Sequence, residues 1–214
     1  MRRTNVSEPV SPPHGIDALP PAGGDRAAAR RQSPNSLKTK LIWLAWAAVQ
    51  ATLFRPSFHS WSGWRATLLR LFGATIAPHC TIRRTCRVHY PWNLTMKRHS
   101  CLGDRVEVYN LGKVTLGERV TISQEAYLCA GTHDHTRLSM PLLTPPILIK
   151  DDAWLCARCF IYPGVTIGRG AVVAACGVVI KDVEDWAMVG GNPAKFLKKR
   201  EMAAGEIPGG SDGA

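Results

Sequence analysis

The sequence predicts a parallel β-helix, a solenoid of six-residue repeats with helical segments before it and a short helix after it. Three observations predict this. Between Ile149 and Glu184 the chain reads IKDDAW, LCARCF, IYPGVT, IGRGAV, VAACGV, VIKDVE, with an aliphatic residue at every sixth place: Ile149, Leu155, Ile161, Ile167, Val173 and Val179. Ile, Leu and Val make up 45 of the 214 residues, so six in strict phase has odds of roughly one in ten thousand by chance. The fifth place in each six is restricted as well, to Ala153, Cys159, Val165, Ala171, Gly177 and Val183. A period of six fits neither a helix nor a heptad coil. It fits a flat-sided coil in which each repeat makes one short face and turns its aliphatic residue inward.

Taken in order, residues 1–36 are rich in Pro, Gly, Arg, Ser and Ala without apolar periodicity, which predicts a disordered basic tail. The opening MRRTNVSEPV has no apolar stretch of the secretory kind. Residues 37–75 form an apolar to amphipathic helical segment. LIWLAWAAVQATLF, from Leu41 to Phe54, carries no charge, but it falls short of the roughly 20 residues that a bilayer crossing needs. From Trp61 to Phe72, helical spacing puts Trp61, Trp64, Leu68 and Leu71 on one face and Arg65 and Arg70 elsewhere, with Gly73 as the stop. Trp, Leu and Arg mixed in this way suit a helix lying in a membrane interface, and equally one packed on the solenoid, so 41–72 carries both expectations.

Residues 76–190 carry the repeat. The phase runs Ile76, Ile82, Val88, Leu94, slips by two to Leu102 and Val108, and slips again to Leu116, Ile122 and Leu128. Fifteen sixes at three faces per turn predict five turns, roughly 24 Å tall at the usual strand spacing. Residues 134–146, DHTRLSMPLLTPP, leave the repeat and return to it, as functional loops on regular scaffolds do. Over 191–203, Asn192 as a cap, Pro193 at the first helical place and the basic Lys198, Lys199 and Arg200 predict a short helix. A flexible tail, 204–214, follows.

The net charge of +11 is uneven: residues 1–75 hold ten basic and three acidic side chains, whereas the repeat region is nearly balanced. No nucleic-acid module accompanies that charge, so no nucleic-acid partner is expected, while an anionic surface near the N-terminus stays open. Of seven cysteines, Cys80, Cys86 and Cys159 fall at the small inward places and read as core fillers. A reducing cytoplasm is the expected compartment, with association at the inner face of the cytoplasmic membrane if 41–72 binds lipid. Cys156 and Cys159 leave zinc or redox chemistry as a minor alternative. THDH offers only His133 and His135 close together, short of the three ligands of a catalytic zinc site, so no metal is expected.

A neutral histidine near pH 7 suits the removal of a proton from a hydroxyl, and on residues alone His133 and His135 stand equal for that task. The stretches ISQEAYLCAGTHDH, IKDDAWLCARCFIYPGVTIGRG and GVVIKDVEDWAMVGGNPAKFLKK resemble the hexapeptide-repeat acyltransferases over about Ile76 to Arg200. The chain is most similar to exopolysaccharide O-acetyltransferases of the colanic acid biosynthesis type, and more distantly to the maltose, galactoside and nodulation acetyltransferases. SGWRATLLRLFGA looks like the same branch.

What the resemblance implies is specific. The solenoid is left-handed, which the period alone does not decide. His133 is the general base, and Asn110, Asp134 and His135 are weaker candidates for facing the sugar, with a turn-forming asparagine as the plain reading of Asn110. Acetyl-CoA is the co-substrate, held along the later coils by the places matching Trp154, Ala157, Ala175, Lys181, Lys195 and Lys198, with the lysines as point charges on its phosphates. Active sites lie between the subunits of a homotrimer. Acetyl passes directly to the sugar hydroxyl of a glycan or lipid-linked intermediate in a ternary complex. The rival route is an acyl-enzyme on Cys129. Two other functions are weighed: acetylation of a small soluble acceptor (a free sugar, serine or an antibiotic), and a metal lyase like the γ-type carbonic anhydrases.

Overall fold

The computed structural model describes residues 36–203; the expected tails, 1–36 and 204–214, fall outside these but for Ser36. Strands numbered β1–β19 along the chain wind into a three-sided solenoid. The first face stacks β1 (Thr75–Ile76), β4 (Leu94–Met96), β7 (Val114–Leu116), β12 (Ile147–Ile149) and β15 (Thr166–Ile167) in parallel. The second stacks β2 (Thr81–Ile82), β5 (Cys101–Leu102), β8 (Thr121–Ile122), β13 (Trp154–Leu155), β16 (Val172–Val173) and β18 (Ala187–Gly190). The third stacks β3 (Arg87–Val88), β6 (Glu107–Tyr109), β9 (Tyr127–Cys129), β14 (Phe160–Ile161) and β17 (Val178–Val179). Five full coils result, the number predicted.

The six-residue phase sets the core. Ile149, Leu155, Ile161, Ile167, Val173 and Val179 are all buried, as are Ala153, Cys159, Val165 and Ala171 beside them. Each buried aliphatic side chain removed from water contributes about 1.5–3 kcal/mol, and stacking puts like on like: Met96 under Leu116 under Ile149 under Ile167. The first slip is placed differently from the expectation. Met96, not Leu94, is the partner of Ile76, so the two extra residues lie at the corner between the third and first faces, and Leu94 is a further buried residue. The second slip, after Val108, falls at the same corner one coil later.

Two helices close the N-terminal end: α1 (Leu37–Val49), which runs on through a π-helical turn to Phe54, and α2 (Ser62–Leu71). In a parallel solenoid each coil's carbonyls accept from the coil before it, as when Ala77, Arg83 and His89 donate to Met96, Leu102 and Val108. The first coil has no earlier coil, and helix side chains replace it on every face. Arg70 Nε donates to the Ile76 carbonyl at 2.9 Å, Arg65 Nε to Ile82 at 2.7 Å, and Trp46 Nε1 to Val88 at 2.6 Å. Of the apolar face expected for α2, only Leu68 packs on the solenoid. Arg65, Ala66, Leu68 and Leu69 are buried, whereas Trp61, Trp64 and Leu71 are exposed. The open carbonyls of the coil need donors, and on that helix Arg65 and Arg70 supply them, joined by the Ser62 hydroxyl at 3.3 Å from the Ile82 carbonyl.

The other end also differs from expectation. Residues 195–199 are not helical but form β19 (Lys195–Lys199), antiparallel to β18. The local cues for a helix are outweighed because β18 would otherwise present an unpaired edge, and KFLKK satisfies its backbone groups.

Candidate active site

The corner between the third and first faces is the irregular edge of the solenoid. It carries Tyr90–Asn93 in the first coil, Asn110–Lys113 in the second, and the whole excursion through 134–146 in the third. That excursion is a hairpin: β10 (Thr132–His133) pairs antiparallel with β11 (Leu142–Leu143), His133 opposite Leu142. Its returning arm passes so close to the coil below that a Cβ on Gly112 would lie 2.4 Å from the Thr144 carbonyl oxygen, a place only glycine fits.

His133 is exposed at the base of this hairpin, and its Nδ1 lies 2.7 Å from the Met140 carbonyl oxygen. A carbonyl can only accept, so Nδ1 carries the hydrogen and the neutral ring presents Nε2 as an unprotonated acceptor. Asp134 turns away to build the loop. Its N–H donates to Pro141 O at 3.0 Å, and its Oδ1 accepts from the Thr136 backbone at 3.0 Å and the Thr136 hydroxyl at 2.5 Å. Those hydrogen bonds from Thr136, with Arg137 nearby, hold the Asp134 carboxyl below the usual carboxylate range. Its role is to shape the loop. His135 is exposed next to it.

Asn110 does not face a substrate. It is fully buried, its Oδ1 accepting from the Tyr90 N–H at 2.9 Å and its Nδ2 donating to the Tyr90 carbonyl at 2.7 Å. Both ends of the amide are spent on joining two coils at the corner, so the oxyanion role expected for it is corrected to a structural one. Cys129 is half-buried, with Sγ 3.3 Å from the Gly131 carbonyl, and burial pushes its thiol up, away from the thiolate that an acyl-enzyme needs. Cys156 and Cys159 are likewise raised by burial, Cys159 to about 12. Among the described residues no three His, Cys, Asp or Glu side chains gather as a metal site.

The expected cofactor residues divide between two edges. Trp154 lies on the outer side of β13, its Nε1 donating to Ser123 Oγ at 3.0 Å. Ala157 and Ala175 stack at the corner between the second and third faces, where Cys176 N donates to the Ala157 carbonyl at 2.9 Å. Lys195 and Lys198 stand exposed on β19, which extends that second face. Lys181 instead follows the third face, on the same edge as His133, and lines a cavity of about 430 Å³ at the C-terminal end with Val179, Val183, Ala187 and Phe196. On a single chain, then, His133 with Lys181 and the alanine corner lie on different edges of the prism. Three neighbours of these residues were not singled out from the sequence: Met140, Ser123 and the Tyr127–Phe160 pair that stacks on the intervening face, with centroids 5.0 Å apart. Met140 acts through its backbone, so no residue pattern could have pointed to it.

No protein-family model matches this chain. The putative colanic acid biosynthesis acetyltransferase WcaF of Escherichia coli K12 is 42% identical over 166 residues, covering 78% of this chain and 89% of that protein. Among solved structures, a hexapeptide-repeat acetyltransferase of Vibrio cholerae in complex with acetyl-CoA superposes with a TM-score of 0.69 at 24% identity, over 79% of this chain and 93% of its own. A maltose O-acetyltransferase of Clostridium difficile gives 0.68 at 20% identity, over 85% and 100%. At these identities the structural likeness is one of fold, the left-handed parallel β-helix.

Proposed function

This chain belongs to the colanic acid biosynthesis family of hexapeptide-repeat acetyltransferases, and we propose that it moves acetyl from acetyl-CoA to a sugar hydroxyl of an exopolysaccharide intermediate with His133 as general base. One observation carries the assignment of the base: the bond from His133 Nδ1 to the Met140 carbonyl, which leaves Nε2 free where the coil breaks off. Nε2 takes the proton of the sugar hydroxyl as its oxygen attacks the thioester carbonyl carbon. A C–O bond forms, the tetrahedral adduct collapses, the C–S bond breaks, and the departing CoA thiolate takes the proton back from the imidazolium. General-base assistance of this kind is worth about 10²–10⁴ in rate.

Transfer is direct, within a ternary complex. The raised thiol of Cys129 supports this over an acyl-enzyme. Acetyl-CoA is proposed to lie along Trp154, Ala157 and Ala175, where small side chains admit the thin pantetheine arm, with Lys181, Lys195 and Lys198 meeting its phosphates. A homotrimer with sites between subunits accommodates the division of these residues over two edges, because one subunit's His133 can then meet its neighbour's alanine corner. His135 is proposed to border the acceptor. We take that acceptor to be lipid-linked, presented at the inner face of the membrane to a chain in peripheral contact through 41–72. No described helix is long and apolar enough to cross a bilayer.

The test follows CoA thiol release by the purified full chain with acetyl-CoA and a panel of acceptors: exopolysaccharide repeat-unit oligosaccharides, free sugars, serine and chloramphenicol. Release only with the oligosaccharides, and loss of O-acetyl from the host polysaccharide when the gene is removed, is the expected result. Release with serine or chloramphenicol and an unchanged polysaccharide would replace this reading by a small-acceptor enzyme.

A further inference from the structure

The helical cap has two sides, and only one is accounted for by the solenoid. Trp46, Phe54, Leu68 and Leu69 are buried against the first coil. On the outer side, large apolar side chains stand in water: Leu41 is 67% exposed, Phe58 71% and Trp61 57%, with Trp43, Leu44 and Trp64 beside them. Residues from Leu37 to Ala45 are almost all exposed, so the first turns of α1 project beyond the coil. An apolar helix of this length gains little by standing alone in water, and so many large apolar side chains left exposed on one cap mark a contact.

The charge says what that contact is with. From Ser36 to Gly103 the chain has ten Lys and Arg and not one Asp or Glu. Lys38 and Lys40 flank the apolar turns of α1, and exposed Arg84, Arg87, Lys97 and Arg98 form a collar on the two coils nearest the cap. Of that collar only Arg87 is approached by an acidic side chain of the second coil, Glu107 at 3.8 Å, while Asp104 lies 4.0 Å from the half-buried Arg83 beside it. A second copy placed cap to cap would bring like charge against like charge. An anionic bilayer meets both features at once: headgroups for the cations and an acyl boundary for Trp, Leu and Phe.

We infer that the N-terminal cap is a docking surface for an anionic lipid bilayer and that the solenoid stands on the membrane by this end. The inference deepens the peripheral contact proposed above and gives it an orientation. The cap covers the end of the coil, so its outer side faces along the solenoid axis. A threefold arrangement about a parallel axis would set three such caps on one plane. His133, two coils above the first, would then sit about 20 Å from the headgroups, a helix diameter plus two strand spacings. That height suits a sugar close to its lipid carrier rather than one far along a finished chain.

Flotation of the full chain with vesicles tests this without acceptor or acetyl-CoA, so its failure leaves acetyl transfer standing, and an inactive but vesicle-bound protein would count against acetyl transfer alone. Vesicles of phosphatidylcholine, and of phosphatidylcholine with phosphatidylglycerol, are compared at low and high salt. At least about tenfold stronger association with the anionic vesicles is expected, falling with salt, with a blue shift of tryptophan emission on binding. Leu41→Ser/Trp43→Ser/Trp61→Ser removes the apolar contact, and Lys38→Glu/Lys40→Glu/Arg84→Glu reverses the charge while keeping it. Both should lose binding while circular dichroism and thermal unfolding stay as in the parent. The inference is overturned if the parent binds neither vesicle, if both variants bind as the parent does, or if the serine variant only reduces the oligomer's size while the parent ignores lipid.

Discussion

Arg65 donates from Nε to the Ile82 carbonyl at 2.7 Å, and through this bond a helix stands in for a missing turn of the solenoid. The rest of the guanidinium is equally engaged, with Nη1 on Ser57 Oγ and the Phe58 carbonyl at 2.8 Å each and Nη2 on the His59 carbonyl at 2.7 Å. A buried cation without a carboxylate is held here by oxygens alone.

Replacing Arg65 therefore uncovers several acceptors at once. Arg65→Ala is expected to cost about 3–5 kcal/mol in urea unfolding, the sum of two or more charge-assisted bonds and a stranded carbonyl. Arg65→Lys should recover only part of that, because one ammonium cannot reach acceptors on both sides. Equal stability of all three proteins would show that the cap is not what closes the coil.

The inward positions could be read from the chain because a coil of fixed length repeats its demand for an aliphatic side chain every six residues. The two ends could not. At the N-terminal end, spacing grouped Trp61, Trp64, Leu68 and Leu71 on one face without saying what that face meets, and only the coil's unpaired carbonyls explain why Arg65 is buried. At the C-terminal end, Asn192–Pro193 and the trailing lysines resemble a helix by every local cue, and only the free edge of β18 turns them into a strand. Within the candidate site, the residues alone left His133 level with His135, and the resemblance singled out His133. Its orientation was not legible, since Met140 contributes a carbonyl that any residue would have. Asn110 misled for the opposite reason: its amide completes a corner that the phase slip only hinted at.

Acid sensitivity should centre on Asp152. Its carboxylate accepts from Arg119 at 2.6 and 3.0 Å and from Arg169 at 3.4 Å, and the hydrogen bonds from Arg119 lower its pKa first among the causes. A folded pKa below the unfolded value of about 3.9 gives stability that is present above that value and lost as pH falls through the folded one. Asp152→Asn should lower stability by about 1 kcal/mol at neutral pH and flatten the acid limb of a melting-temperature profile. An unchanged acid limb would assign the loss to other carboxylates.

The lysines of β19 should act on binding rather than chemistry. Lys195→Ala and Lys198→Ala are each expected to raise KM for acetyl-CoA about tenfold, near 1.4 kcal/mol of charge interaction, with kcat little changed. The effect should shrink at high salt. A fall in kcat at constant KM would move these residues out of the phosphate contact.

The most direct measurement is the pre-steady-state and steady-state rate of CoA release with His133→Asn, His133→Ala and Cys129→Ala. Asparagine can still donate to the Met140 carbonyl but cannot take a proton, so it separates the base from its anchor. A loss of about 10²–10⁴ in kcat is expected for both His133 variants, with near-parent activity for Cys129→Ala and no burst of CoA release before the acceptor is added. A burst that disappears in Cys129→Ala, with His133→Asn still active, would contradict this.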